Sequence, residues 1–442
     1  MSVPAQLGTR RLVTVLGVTF GVAVSVGNTV GAGILRAPGE IAAYLPEFWP
    51  FLAIWLAGGI YALLGANALS ELATLVPRSG GQYVFVRRGL GDYAGFVVGW
   101  SDWISTCGTT ALVGLVLGEY LVGLVPELRA YEFVALVIVI MLTTVQWAGV
   151  RWGGAAQNVT TVLKGVALLF FVGACFYFGT RNPAAAALQV DRETTMLLAV
   201  ILSMQAVIYT YDGWTAPIYF SEEIKDPGRN IPRAMFSGLA VVIVVYLLVN
   251  IGFARVVPLP TLAGEKLAAA AVAQHMFGIN GDTVLRLVAV LILFSAVNAN
   301  VLMAPRVVYA MSNDRLFWHG ASEVNRGGTP DIALLLSSIL AGAFIVTGTF
   351  QTVIGKLAFF FVANYTLSFI TLFVLRRREP AVQRPYRAWG HPLTTGLALV
   401  SSIAFLIGSA LSDTANTLWA VVILFLSYPV YLLISRRGRV PS

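Results

Sequence analysis

Between Ser25 and Glu40 the chain reads SVGNTVGAGILRAPGE, three glycines (Gly27, Gly31, Gly33) and then Pro38, inside a long apolar run. A second interrupted run, Ile208 to Glu223, reads IYTYDGWTAPIYFSEE. In hydrocarbon a peptide group stripped of its helical partner costs several kcal/mol, so an unwound stretch persists only where it lines a cavity or binds something. The N–H groups freed around Gly31, Ala32, Gly33 and Ile34 form the positive end of a half-helix, suited to a carboxylate. Glycine there lets a ligand approach the backbone closely. Carbonyls freed near Thr29 and Val30, and near Tyr209, Thr210 and Asp212, suit an ammonium group. Donors for a carboxylate beside acceptors for an ammonium describe a zwitterion, and an α-amino acid is the obvious one. The plainer reading of such glycines, close helix packing of the small-xxx-small kind, fits Gly58 and Gly59 better than a cluster followed within two turns by Pro38.

Other polar residues gather around these breaks. Tyr209, Tyr211 and Trp214 surround the second, where a ring could cover the ligand, although membrane tyrosines and tryptophans also serve as interface anchors. Asp212 is an acid placed near mid-depth, where ionisable residues are rare and usually functional. It could bind a cationic amine, carry a proton, or hold the break together through hydrogen bonds. Lys164 is the only charged residue in AAQNVTTVLKGVALLFFVGACFYFG and lies too far from either end to snorkel. A buried ammonium must pair or lose its proton. Carbonyls of the first break, or Ser295 and Asn298 of a later run, are its candidate partners, and its amine could supply the charge that a bound sodium ion would otherwise provide. Asp102, Glu119, Arg306 and Lys356 are expected at interfaces or vestibules, with no site role, while Asn364 and Tyr365 could reach the cavity.

The elements that must position these residues follow from composition. Of 442 residues, 57% are hydrophobic and 11% charged, far from the roughly one quarter charged of soluble domains. Apolar runs long enough to cross a bilayer number about twelve: 12–43, 49–75, 93–124, 131–149, 155–179, 195–220, 235–254, 282–311, 332–350, 352–376, 393–411 and 415–435. The run after Arg10 and Arg11 outlasts a secretory signal core and is read as the first span. Cys107 and Cys175 fall inside spans and are read as packing residues. The net charge of +8 is a topology signal rather than a nucleic-acid footprint. Basic residues crowd one set of connections, as at Arg87–Arg88, Arg376–Arg378 and Arg436–Arg437, and are sparse in the other set, at Arg129, Arg181, Arg192, Arg255 and Lys266. That bias places both termini in the cytoplasm of a multi-pass cell-membrane protein.

Two longer connections, 77–92 and 258–281, follow the second and seventh spans, and the two breaks fall in the first and sixth. An offset of five spans, an odd number, makes the second unit enter the membrane from the opposite side. The fold class expected is therefore all-α integral membrane, twelve transmembrane helices with a five-plus-five inverted repeat and broken helices 1 and 6. Residues 1–378 would form the transport core, and 379–442 two further helices and a tail, left for packing or oligomerisation. No polar stretch is long enough for a soluble domain, which weighs against a membrane sensor or complex subunit. His275, His319 and His391 fall in expected loops without metal-ligand spacing. With no phosphate loop or nucleophile elbow either, no enzyme, metal or cofactor is expected.

Three ordered motifs carry a resemblance. VGAGI at 30–34, PRSGGQYVFVRRGLG at 77–91 and EEIKDPGRNIPRAM at 222–235 resemble the first-span signature, the loop between spans 2 and 3, and the segment after span 6 of the amino acid–polyamine–organocation superfamily. The resemblance implies alternating access. YDGW at 211–214 is similar to the span 6 break of bacterial and L-type amino acid transporters, many of which have glycine where this chain has Asp212. It implies that Gly31, Ala32 and Gly33 bind the carboxylate, that the carbonyls of Thr29 and Tyr209 receive the amino group, and that Lys164 replaces sodium. The expectation is a sodium-independent transporter, an exchanger or proton-coupled, of small or neutral L-amino acids. They are favoured because no acids or bases beyond Asp212 attend the breaks. If Asp212 reads a second charge, the cargo is a cationic amino acid or a polyamine. The expected partners are the substrate and the lipid bilayer, with no nucleic acid; an accessory subunit or homo-oligomer is left open.

Overall fold

The apolar runs all become helices in the computed structural model, which describes residues 11–179, 195–347, 354–412 and 414–437. The first run opens in extended backbone, and Leu16 forms an isolated parallel bridge to Ile224. Helix α1 (Val18–Thr29) then stops, and α2 (Gly33–Tyr44) starts three residues later, bent 47° from it. There follow α3 (Phe48–Leu75), a short α4 (Gln82–Leu90), α5 (Asp92–Leu124), α6 (Tyr131–Trp147) and α7 (Val150–Phe178). Helix α8 (Met196–Tyr211) begins at Thr195, whose hydroxyl accepts from the Leu198 N–H at 3.4 Å. It gives way to a 3-10 turn, Ala216–Phe220. Pro227 occupies the first turn of α9 (Pro227–Val256), where its missing N–H costs nothing. The remainder is α10 (Leu259–Leu262), α11 (Ala268–Phe277), α12 (Gly281–Asn313), α13 (Asp331–Thr347), α14 (Ile354–Arg378), α15 (Leu393–Ser412) and α16 (Thr414–Arg437).

Among the described residues eight helices are long and apolar enough to cross a membrane, and the bent α1–α2 pair makes a ninth span. Three shorter apolar helices, Tyr131–Trp147, Asp331–Thr347 and Ala420–Ile434, fall below that length. The protein is thus an all-helical, multi-span membrane protein. Both long connections contain helix. Tyr83, Val84, Phe85 and Val86 of α4 are buried, and His275, expected in a loop, lies in the last turn of α11. Cys107 and Cys175 are free and buried. Arg10, Arg181 and Arg192, expected to help orient the chain, lie outside the described residues, as does the side chain of Lys356.

Helices α1, α3, α5, α7, α9 and α12 share one large apolar core into which both breaks are sunk. Arg306 of α12, expected at an interface, is 1% exposed within it. Its Nε and Nη2 donate to the two oxygens of Glu223 at 2.8 and 2.9 Å, and its guanidinium lies 4.5 Å from the Phe220 ring. A charge buried so deeply is tolerable only when paired. Glu71 of α3 is likewise buried; it accepts from Arg376 and from the Ala388 N–H and lies in an ion pair with Arg384, tying α3 to the end of α14 and the segment after it.

Candidate functional site

Helix α1 ends because Val30 leaves the helical region, with φ −78° and ψ 93°. Its last carbonyls are then orphaned. Lys164, at mid-length on α7 and 1% exposed, reaches across and donates from Nζ to the carbonyls of Gly27 at 2.7 Å and Val30 at 2.5 Å. A cation at a helix C-terminus also complements the helix dipole. Ser295 does not hold this amine. Its hydroxyl lies 3.3 Å from Gln157 Nε2 and 3.3 Å from Thr161 Oγ1, and Asn298 bonds Gln157 and Gln146. Thr161 and Gln157 in turn donate to the Ala23 carbonyl. The face of α7 that meets α1 is therefore a polar strip with Lys164 at its end.

Across the gap α2 begins. Among the described residues no backbone carbonyl accepts from the N–H groups of Gly31, Ala32, Gly33 or Ile34. The three glycines have separate duties. A Cβ on Gly27 would lie 1.9 Å from Gln157 Nε2, and one on Gly33 3.0 Å from the Thr210 side chain, whereas one on Gly31 would meet nothing within 4 Å. Gly27 and Gly33 allow close packing, and Gly31 faces open space.

The second break is built around Gly213, whose φ of +108° favours glycine. A Cβ there would also lie 2.8 Å from the Thr29 N, so the two breaks touch backbone to backbone. Tyr246 of α9 joins them again: its hydroxyl sits 2.8 Å from the Thr29 carbonyl and 2.9 Å from the Thr210 carbonyl, one proton facing two acceptors. Tyr365 of α14 donates its hydroxyl to Asp212, and its ring packs 5.2 Å from Trp214. Tyr211 is buried against Tyr246 and Trp55 instead of covering the gap.

Both breaks open into one cavity of about 280 Å³. Of the expected binding residues, Thr29, Gly31, Ala32, Gly33, Tyr209, Thr210 and Asp212 line it. Val30 and Ile34 are buried behind it, and Lys164 and Ser295 stand outside its wall. Asn364 bonds Ser101, and of the pair considered on α14 only Tyr365 reaches the cavity. Asp102, expected at an interface, also lines it, as do Arg36 and Glu40 of α2, so Asp212 is not the only charge present. Asp102 is 2% exposed, and both its oxygens accept from the Tyr219 hydroxyl at 2.9 Å. Tyr246 and Tyr219 carry no sequence signal beyond being tyrosines in apolar surroundings. Asp102 does carry one, an acid ten residues into a 33-residue apolar helix. Among the described residues no group of three or more histidine, cysteine, aspartate or glutamate side chains could hold a metal ion.

Against known sequences, residues 11–428 match the family described as amino acid permease. The chain is 26% identical over 433 residues to the serine/threonine exchanger SteT of Bacillus subtilis, covering 96% of this chain and 97% of that protein. It is 28% identical over 417 residues to the b(0,+)-type amino acid transporter 1 of Mus musculus, covering 91% and 83%. To the Asc-type amino acid transporter 1 of the same species it is 24% identical over 440 residues, covering 95% and 80%.

Proposed function

We propose that this chain, which belongs to the amino acid permease family, carries amino acids across the membrane as a secondary transporter, by alternating access around the α1–α2 and α8 breaks. The observation that carries the reading is the cavity itself: Gly31, Ala32 and Gly33, whose N–H groups have no backbone acceptor among the described residues, line the same space as the ends of α1 and α8. The N–H groups would take the substrate carboxylate. The carbonyls of Thr29, Tyr209 and Thr210 and the carboxylate of Asp212 would take the ammonium. Binding across both breaks favours closure of one side, and the substrate's contacts then shift the balance between the two open states.

The finer architecture belongs to the same proposal. Counting α6, α13 and α16 as spans gives twelve, with spans 1–5 and 6–10 as inverted units. Residues 1–378 are then the transport core, residues 379–442 two added helices, and both termini cytoplasmic. Sodium independence is supported by Lys164, whose amine occupies two carbonyls that would otherwise suit a metal cation. Exchange is favoured over uniport by the likeness to a protein named as an exchanger. Small or neutral side chains fit the apolar wall of Leu112, Val113, Ala206 and Ala296. A second reading, cationic cargo, is favoured by the presence of both Asp212 and Asp102 in that wall.

Purified protein in liposomes, loaded with unlabelled amino acids and presented with a labelled panel, tests the proposal. Saturable uptake without a sodium gradient is the expected result. No flux of any amino acid, inward or by exchange, would leave the non-transporting alternative, a membrane sensor, in its place.

A further inference from the structure

We infer that Asp102 reads a second positive charge on the cargo, so that dibasic amino acids are preferred over neutral ones of the same length. The inference rests on the amino acid reading above and names the substrate class of that site. Helix α5 presents Asp102, Thr106, Thr109, Val113 and Val116 to the cavity along one face, and Asp102 is the deepest of them. It lies four residues, about 6 Å of helix rise, below Thr106 and roughly 21 Å below Val116. Arg36 and Glu40, exposed on the outward half of the first broken helix, mark the mouth. A substrate held by its carboxylate at Gly31–Gly33 therefore has room for its side chain to run toward Asp102.

Charge makes that end of the cavity selective. Among the described residues neither Asp102 nor Asp212 has an ion-pair partner. Each carboxylate is met by one tyrosine hydroxyl, Tyr219 for Asp102 and Tyr365 for Asp212. The cation of Lys164 is committed to α1 carbonyls outside the cavity wall. A carboxylate desolvated in a small, largely apolar cavity is costly unless it is paired or protonated, so the two acids together favour a substrate that carries positive charges to both of them. A lysine or ornithine zwitterion brings two: the α-ammonium beside Asp212 and the distal ammonium beside Asp102. The buried hydroxyl of Thr109, which has no hydrogen-bond partner and shares the cavity, adds an acceptor on the same wall.

The test compares lysine with norleucine, which keeps the straight side chain and lacks the distal ammonium. Full-length protein in liposomes takes up whichever of labelled alanine, serine or leucine gives flux, and the two compete. In the wild type, lysine should compete about tenfold or more better than norleucine, the scale of one charge-assisted hydrogen bond. Asp102→Asn should bring that ratio close to one. Asp102→Glu, one methylene longer, should keep a cation preference and move it from lysine toward ornithine. Because the readout is a ratio, lower expression does not mimic it, and if Asp102→Asn fails to insert, Asp102→Glu decides. Labelled flux with no wild-type preference for lysine overturns the inference and leaves amino acid transport standing. A preference that survives Asp102→Asn assigns the cation to Asp212 instead, and a change in the pH profile alone makes Asp102 a proton carrier. Absence of any amino acid flux defeats the underlying transport reading.

Discussion

Replacing Lys164 with methionine keeps an unbranched side chain one heavy atom shorter and removes its two hydrogen bonds. The Gly27 and Val30 carbonyls, accepting now at 2.7 and 2.5 Å, would be left without a donor in a site that water does not reach. An unsatisfied buried acceptor costs about 1–3 kcal/mol, so the two together cost about 2–6 kcal/mol. The apolar replacement recovers some of the desolvation that the ammonium suffered. A net penalty of about 2 kcal/mol at the break is the conservative figure. Spent on distorting the turn that presents the α2 N–H groups, it weakens substrate binding roughly thirtyfold. Uptake into liposomes should show a KM raised by tenfold or more, with a lower unfolding temperature in detergent. Lys164→Ala adds a second reading, because it leaves two carbonyl oxygens facing an opened volume. Such oxygens suit a hard cation, so sodium should partly restore uptake in that variant and leave the wild type unaffected. A wild-type KM and unfolding temperature for Lys164→Met would refute the assignment. Strict sodium dependence of the wild-type protein would refute the replacement argument separately.

Three further outcomes follow from the same geometry. Gly31→Ala places a methyl in open cavity, and Gly33→Ala drives one to 3.0 Å from Thr210. The first should raise KM with the unfolding temperature held, and the second should lower stability by about 1–3 kcal/mol as the breaks are forced apart. Thermal unfolding and uptake kinetics on the pair separate the two. Tyr246→Phe removes the hydroxyl shared by the Thr29 and Thr210 carbonyls. A loss of about 1–3 kcal/mol in substrate affinity, with the protein still folded, is expected from equilibrium binding. Glu223→Gln should destabilise by about 3–5 kcal/mol, because Arg306 is left charged and buried. The double variant Glu223→Gln, Arg306→Met should regain most of that loss on thermal unfolding, and a double variant worse than the single one contradicts the pairing.

The kinship expected from VGAGI, PRSGGQYVFVRRGLG and EEIKDPGRNIPRAM is borne out by the family match over residues 11–428. These motifs were legible because they break a pattern: glycine and proline interrupt apolar runs, and the local chemistry of an interruption is readable without knowing its neighbours. Lys164 was legible for the same reason, as one charge in an apolar helix. Its partner was harder to read. Carbonyls of the first break and Ser295 were both open to it, and only packing α7 against α1 decides for the carbonyls. Asp102 shows where reading along the chain fails. Its isolation among apolar residues was visible, but whether its face of α5 meets lipid, vestibule or cavity depends on helix rotation, which an apolar-all-round helix does not encode. Tyr246 was invisible because a tyrosine between valines and leucines on α9 is ordinary until a second helix brings two orphaned carbonyls to its hydroxyl. Short amphipathic helices such as α4 were read as loops, their apolar stretches being too brief for a span.

The bonds that cross between the two broken elements also differ in strength, and the difference says where they can part. At the site, Lys164 holds the end of α1 and Tyr246 joins α1 to α8, through buried bonds of which those of Lys164 are charge-assisted. Before α1 begins, the tie is lighter. The Leu16 N–H donates to the Glu223 carbonyl at 2.9 Å, the Lys225 N–H to the Leu16 carbonyl at 2.9 Å, and the Thr14 hydroxyl to the Glu222 carbonyl at 2.7 Å. Each such neutral bond contributes about 0.5–1.5 kcal/mol net, and the last is exposed to solvent. Glu223 itself is anchored the other way, to Arg306 of α12. If the first broken helix swings, the segment 11–16 therefore leaves residues 222–225 first, while Glu223 stays with α12. Lys164 grips both the end of α1 at Gly27 and the unwound Val30, so in the proposed swing a bend would fall just beyond them, between Val30 and the start of α2. A substrate carboxylate on the α2 N–H groups and an ammonium on the α1 carbonyls would stiffen that bend. Under the proposed mechanism substrate occupancy and the position of residues 11–16 would be coupled through one short unwound turn, and an affinity difference of a few kcal/mol between two positions of that segment would be enough to reverse their populations.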